Sequence, residues 1–195
     1  MNLHKAQRVG VFVDVQNMYY SARAMYGAKV NFKEVLKAAV KGRTLVRALA
    51  YVIRTEEVTR ETFFEALENI GFELKAKDLQ IFVGGAKKGD WDVGIAMDAI
   101  ELAPRLDTVV LVSGDGDFAP LLEHLRRAMG CRVEVVAFGK SASKQIKDTA
   151  DDFEDMDKDP RRFLIKGKTE ARHTGTRGVG QKHTGGIKND AAQQR

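Results

Sequence analysis

The segment RVGVFVDV at residues 8–15 constrains the fold more than any other. It is a short continuous apolar run, the signature of a strand buried on both faces. Such a strand belongs inside a parallel sheet that helices cover on either side. The chain repeats the pattern, and LVRALAYVI (45–53), LQIFVGG (79–85), DTVVLVSG (107–114) and CRVEVVAFG (131–139) are the further expected strands. Segments of helical length lie between them. Residues 17–26 and 31–41 read as helices, with Asn31 as the cap of FKEVLKAAV. TRETFFEALENIG (59–71) carries an apolar stripe at Phe63, Phe64, Leu67 and Ile70 and stops at Gly71. DWDVGIAMDAIELA (90–103), FAPLLEHLRRAMG (118–130) and KSASKQIKDTADDFEDM (140–156) complete the series. Strands alternating with helices imply right-handed crossovers, and so an α/β fold with a mainly parallel five-stranded sheet.

In an open parallel sheet the loops beyond the carboxyl ends of the strands form the binding crevice. Three segments put carboxylates there. VFVDVQN ends the first strand with Asp14 and follows it with Asn17. KKGDWDVGIAMD sets Lys88, Asp90, Asp92 and Asp98 around a helix start. LVSGDGDF ends the fourth strand with Ser113, Asp115 and Asp117. An ionised carboxylate at the end of a buried strand is costly unless paired or metal-bound. Simpler roles exist for each acid. Asp14 can cap the next helix, and Asp115 and Asp117 can shape a turn. Asp90 reads best as a cap, while Asp92 fits a cap and a ligand equally. Asp98 follows Asp92 by six residues and points about 120° away from it on a helix, which weakens its claim to a shared ion. Tyr19 and Tyr20 lie near the expected crevice, where packing on the helix competes with stacking on a base. Phe12, Phe82 and Phe118 read as core.

The donor set is oxygen only, which selects hard ions such as Mg²⁺ or Mn²⁺ that keep several waters and meet substrate phosphates. Other chemistries find no support. The single cysteine, Cys131, and four scattered histidines exclude a cysteine zinc cluster. No G-x-S-x-G, P-loop or dinucleotide fingerprint is present. A haloacid-dehalogenase-like phosphatase needs a second Asp two residues after Asp14, where Gln16 stands.

The charge is unevenly spread. Residues 161–195 hold nine Lys/Arg and two acids, +7 in all, which leaves −2 for residues 1–160 out of the total of +5. Composition therefore predicts a domain at 1–158 and a basic, disordered tail at 159–195. Lys88 and the tail residues Arg161, Arg162, Lys166 and Lys168 are candidate contacts to a phosphate backbone. MNLHKAQRVG lacks the apolar stretch of a signal peptide, and no apolar run approaches the ~18 residues that cross a bilayer. A cytoplasmic location without membrane attachment is the expectation.

In combination and in order, FVDVQN, KKGDWDVGIAMDA, LVSGDGDF with its following helix, and ASKQIKDTADDF resemble the NYN domain family, the LabA-like branch of the PIN-like nucleases. The resemblance spans about residues 8–156. It implies a PIN-like three-layer sandwich and a metal-dependent ribonuclease, or a relative of one, acting on RNA, single-stranded in form. By motif position Asp14 matches the first metal-binding Asp and Asn17 its companion. Asp92 matches the acid opening the helix before the fourth strand, and Asp115 and Asp117 the paired acids after that strand. Asp98 matches a second helix Asp, and Ser113 the small hydroxyl residue before the acids. PIN nucleases usually carry one more acid on an early helix, and Glu61 and Glu65 are the nearest candidates. Many LabA-like members are known chiefly as regulatory or uncharacterised proteins, so the competing reading is a non-catalytic RNA-binding or regulatory module anchored by its tail. A homodimer is compatible with either.

Overall fold

The computed structural model describes residues 4–54, 61–81 and 87–165, and for residues 80, 81, 87 and 88 the backbone alone. Six strands form one sheet, all parallel to their neighbours. They are β1 (Arg8–Asp14), β3 (Thr44–Arg54), β4 (Glu73–Asp78), β7 (Thr108–Val112), β8 (Arg132–Ala137) and β9 (Asp152–Asp155). Their spatial order is β4-β3-β1-β7-β8-β9. Two short pairs lie outside this sheet: β2 (Lys29–Val30) with β10 (Leu164–Ile165), and β5 (Gln80–Ile81) with β6 (Lys87–Lys88).

The helices occupy the connections. α1 (Val15–Tyr26) and α2 (Phe32–Val40) join β1 to β3, and α3 (Glu61–Ile70) joins β3 to β4. α4 (Asp92–Leu102) leads into β7, α5 (Ala119–Arg127) joins β7 to β8, and α6 (Lys144–Thr149) joins β8 to β9. The sheet grows one way from β1 and the other way from β7. Right-handed crossovers then place the two helix sets on opposite faces. Both central strands are consequently buried throughout, with Val9 to Val13 of β1 and all of β7 inaccessible. Phe12 and Phe118 lie in this core, as does Cys131, whereas Phe82 lies outside the described residues. No described helix is long and apolar enough to cross a membrane.

Two expected elements are corrected. The third strand of the sheet is Glu73–Asp78, not 79–85. It is an edge strand, half-exposed along its length, so it needs charge against mispairing more than a continuous apolar run. The apolar segment after it turns away at β5. The expected helix at 140–156 is six residues long and gives way to β9, which brings the sheet to six strands instead of five. Edge position again explains the acidic composition. Asp152 and Glu154 of β9 both meet Lys41, at 2.8 and 3.4 Å. Beyond β9, α7 (Pro160–Phe163) buries Phe163, and β10 pairs with β2, so packed structure continues past residue 158 to Ile165. Residues 166–195, with Lys166 and Lys168, lie outside the described residues.

At the amino end of the sheet a buried ion pair spans four strands. Arg43, just before β3, donates through Nη1 and Nη2 to Glu134 of β8 at 2.9 and 2.8 Å. Its remaining donors reach the carbonyls of Val40 and Ala39. Arg132 also donates to Glu134, at 2.7 Å. Arg43 and Glu134 are almost inaccessible. Removing one partner of such a pair leaves a buried charge unpaired, at a cost of about 3–5 kcal/mol. Glu134→Leu alone should therefore lower the urea midpoint steeply, while Arg43→Met with Glu134→Leu should recover most of the loss. Equal midpoints for the single variant and the wild type would show that the pair does not hold the sheet.

Candidate active site

β1 and β7 lie side by side, yet the chain leaves them in opposite directions across the sheet. Their carboxyl ends therefore border the topological switch point, where the connecting loops part and open a crevice. Their register pairs Val13 with Val112. The next residues, Asp14 and Ser113, thus emerge level with one another.

A small network fixes them. Ser113 is fully buried, and its hydroxyl donates to Asp14 Oδ2 at 3.4 Å. Ser113 Oγ also accepts the Asp115 N–H at 3.2 Å. Asp14 caps α1 by accepting the Asn17 N–H at 3.0 Å. Asn17 in turn accepts the Gly114 N–H through Oδ1 at 2.9 Å, which clamps the start of α1 to the end of β7. A Cβ on Gly114 would lie 3.0 Å from the Ala142 backbone, and one on Gly116 would lie 2.7 Å from Ser143 Oγ. The loop after β7 is thus pressed against the start of α6, with no room for a side chain at either glycine. Asp115 Oδ1 accepts the Asp117 N–H at 3.0 Å, which turns the chain and leaves Asp117 exposed above the crevice.

Asp92 opens α4 and faces the same region. Burial raises its pKa first, followed by the charges of Asp90, Asp115 and Asp117, with Lys77 acting in the opposite sense. Asp14 is affected more strongly. Burial, aided by Asp92 and Asp115, pushes its carboxyl up to about 6, against the lowering effect of the Asn17 N–H and the Ser113 hydroxyl. Asp14, Asp92, Asp115 and Asp117 therefore share one electrostatic neighbourhood.

The other predicted site residues sit elsewhere. Asp98 lies on α4 but turns to the sheet, accepting from Tyr51 Oη at 2.7 Å and pairing with Lys75 Nζ at 2.7 Å. It anchors the helix that carries Asp92. Arg162 donates to Glu34 at 3.0 Å, and Arg161 lies beside it on α7. Tyr20 is exposed and Tyr19 packs against the core. The side chain of Lys88 lies outside the described residues. Lys77 and Tyr51 were not anticipated. Lys77 lies in the charged strand β4, and Tyr51 in the buried apolar half of β3, so neither stands out from its neighbours in the sequence.

The donor chemistry fits a hard divalent ion: four acids around a crevice, all oxygen, with neutral hydrogen-bond donors orienting the carboxylates of Asp14 (the Asn17 N–H and the Ser113 hydroxyl) and Asp115 (the Asp117 N–H). Among the described residues no three Asp, Glu, His or Cys side chains converge into a ready-made cage.

Comparisons with known proteins agree with this architecture. A family model for the NYN domain matches residues 8–157. The low amplitude and bright protein LabA of Synechococcus elongatus is 27% identical over 170 residues, covering 83% of this chain and 90% of that protein. The crystal structure of a protein of unknown function from Vibrio parahaemolyticus superposes with a TM-score of 0.75 at 36% identity, covering 85% of this chain and 100% of that one.

The charge cluster makes a stability prediction. The folded state holds the Asp14 proton more tightly than the unfolded chain does, so the stability that Asp14 contributes is present below about pH 4 and is lost as pH rises through about 6. Asp14→Asn keeps the capping oxygen and removes the charge. In metal-free buffer at pH 7.5 it should stabilise the fold by about 1–2 kcal/mol, with no gain near pH 4. Added Mg²⁺ or Mn²⁺ should raise the wild-type melting temperature more than that of the variant. A variant less stable than wild type at pH 7.5 would contradict the assignment.

Proposed function

The chain belongs to the NYN domain family, a nuclease-like family, and from that premise we propose that it is a metal-dependent ribonuclease that hydrolyses phosphodiester bonds of single-stranded RNA. The observation that carries the proposal is the placement of Asp14 beside Ser113 and Asp115 at the switch point of the sheet, with its carboxyl raised by burial and by neighbouring acids. An acid kept in such a place at a cost to folding calls for a cation.

Asp14, Asp92, Asp115 and Asp117 would hold Mg²⁺ or Mn²⁺, with one or two ions per site. When bound, such an ion supplies charge neutralisation at the phosphate and acidifies a coordinated water. The protein's own groups then have distinct tasks. Asp14 and Asp115 present fixed oxygens, since one lone pair of each is committed to a backbone N–H. Ser113 and Asn17 position them: the hydroxyl bridges Asp14 and the Asp115 backbone, and the Asn17 amide locks the β7 loop. Asp98, held by Tyr51 and Lys75, keeps α4 turned so that Asp92 faces the crevice.

A second reading draws on the open spacing of the acids, which lack a preformed ion cage among the described residues. Under it the chain is a non-catalytic RNA-binding or regulatory module. One experiment separates the two. Purified protein is incubated with labelled single-stranded RNA in Mn²⁺, beside Asp115→Asn and Ser113→Ala. The nuclease reading expects cleavage that Asp115→Asn abolishes and that Ser113→Ala slows by about 10–100-fold, the usual penalty for losing a group that orients a metal ligand. Binding without cleavage in the wild type would favour the regulatory module. Equal cleavage by all three proteins would reject the site.

A further inference from the structure

Strand β4 carries two lysines in alternation, Lys75 and Lys77, beside the mouth of the crevice. Lys75 is committed, because both Asp98 oxygens accept from it at 2.7 to 2.8 Å. Lys77 is not: among the described residues it has no carboxylate partner. Its ammonium lies 4.6 Å from the centre of the Trp91 ring and donates to the Asp90 carbonyl. Trp91 is itself immobilised. Its indole N–H donates to the Val52 carbonyl at 3.0 Å, the Tyr51 ring packs at 5.4 Å, and a Cβ on Gly94 would lie 2.5 Å from the indole. The residue that follows Trp91 is Asp92. The molecule thus invests a locked indole and a backbone carbonyl in holding one ammonium group at the edge of an acid cluster.

A lysine kept over an aromatic face beside acids could simply neutralise them. Two facts favour a further role. Lys77 makes no direct ion pair with Asp92, Asp115 or Asp117 among the described residues, so it is not spent on any one of them. It is also still accessible, with two of its three N–H donors free of the Asp90 carbonyl. An ammonium in that state is a point donor for a phosphate oxygen.

We propose that Lys77, held by Trp91, is the protein's phosphate contact for the RNA strand entering the crevice, binding a backbone phosphate next to the one at the acid site. This rests on the reading of the site as one for RNA, and it assigns to Lys77 the task that the sequence pattern gave to Lys88. Trp91 is the positioning residue. It acts through Lys77, whose ammonium lies over its ring, while the tilted Tyr51 ring packs beside it.

The test uses the full chain and a fluorescein-labelled oligouridylate, with binding measured in Ca²⁺ over a range of salt concentrations. Each phosphate contact on a single strand contributes about 0.7 to the slope of log K against log salt. Lys77→Ala should weaken binding and reduce the slope by about that amount, Lys77→Arg should restore it, and Lys33→Ala on α2 should leave it unchanged. Trp91 is the only tryptophan, so its emission reports on the contact directly. RNA should change that emission in the wild type and leave it unchanged in Lys77→Ala. A wild-type slope retained in Lys77→Ala, or an RNA-insensitive Trp91, overturns the assignment while leaving the nuclease reading intact. Normal slope changes without any cleavage by the wild type would sustain the contact and remove the catalysis. Failure of the wild type to bind RNA at all would remove both.

Discussion

The functional end of the molecule depends on one constraint, the double pairing of β1 inside the parallel sheet. Hydrogen bonds to β3 on one side and β7 on the other fix its register twice. A slip of one residue on either side would turn every side chain of the strand to the opposite face. With Phe12 and the flanking valines fully buried, no such slip is tolerable. Asp14 therefore has a single available position, level with Ser113 and at the head of α1. The acid site is a by-product of core packing in that sense: the apolar residues decide where the carboxylate must stand.

What the core positions, short polar contacts refine. Asn17 takes the Gly114 N–H, and Ser113 joins Asp14 to the Asp115 backbone. Each contact satisfies a backbone or hydroxyl group that would be orphaned near a buried strand end. The same contacts set the direction of carboxylate lone pairs. Stability and function are coupled here through identical hydrogen bonds, while the charges themselves act against stability. The amino end of the sheet shows the contrast. There Arg43 and Glu134 meet in a closed, fully paired network that offers nothing to a ligand.

The central strands, their helices, the Asn31 cap and the acids after β1 and β7 were legible in the sequence because burial on two faces writes an uninterrupted apolar run. The edges were not. β4 and β9 are ELKAKD and DFED, segments whose composition answers to solvent and to charge pairing and hence resembles loop or helix. The edge strand also carries a residue of the site. The segment KKGDWDVGIAMD offers Lys88 as the cation beside the acids, whereas Lys77 lies on the edge strand β4, outside every motif. Asp98 was partly legible. Helix geometry turned it away from Asp92, but only the fold could supply Tyr51 and Lys75 as its partners. Long-range ion pairs such as Arg43 with Glu134 leave no local trace, since their spacing of 91 residues is set by topology alone.

The electrostatics of the whole chain bear on how a polyanion would be received. Residues 1–160 carry a net charge of −2, and four of their acids, Asp14, Asp92, Asp115 and Asp117, lie around the crevice that the sheet opens. Net attraction from the domain is therefore absent, and repulsion is strongest at the site itself. Affinity would have to come from three local sources: a hard cation among the acids, the ammonium that Trp91 holds at their edge, and the +7 segment that follows. These sources differ in reach. Screening limits the charged segment to about 10 Å at ordinary ionic strength, whereas the cation and Lys77 act by direct contact. The segment could then concentrate RNA without choosing a bond, and only the contact pair could place a phosphate. That division makes the position of Lys77, fixed by a locked indole one residue before Asp92, the feature that would convert loose polyanion binding into alignment at the acid site.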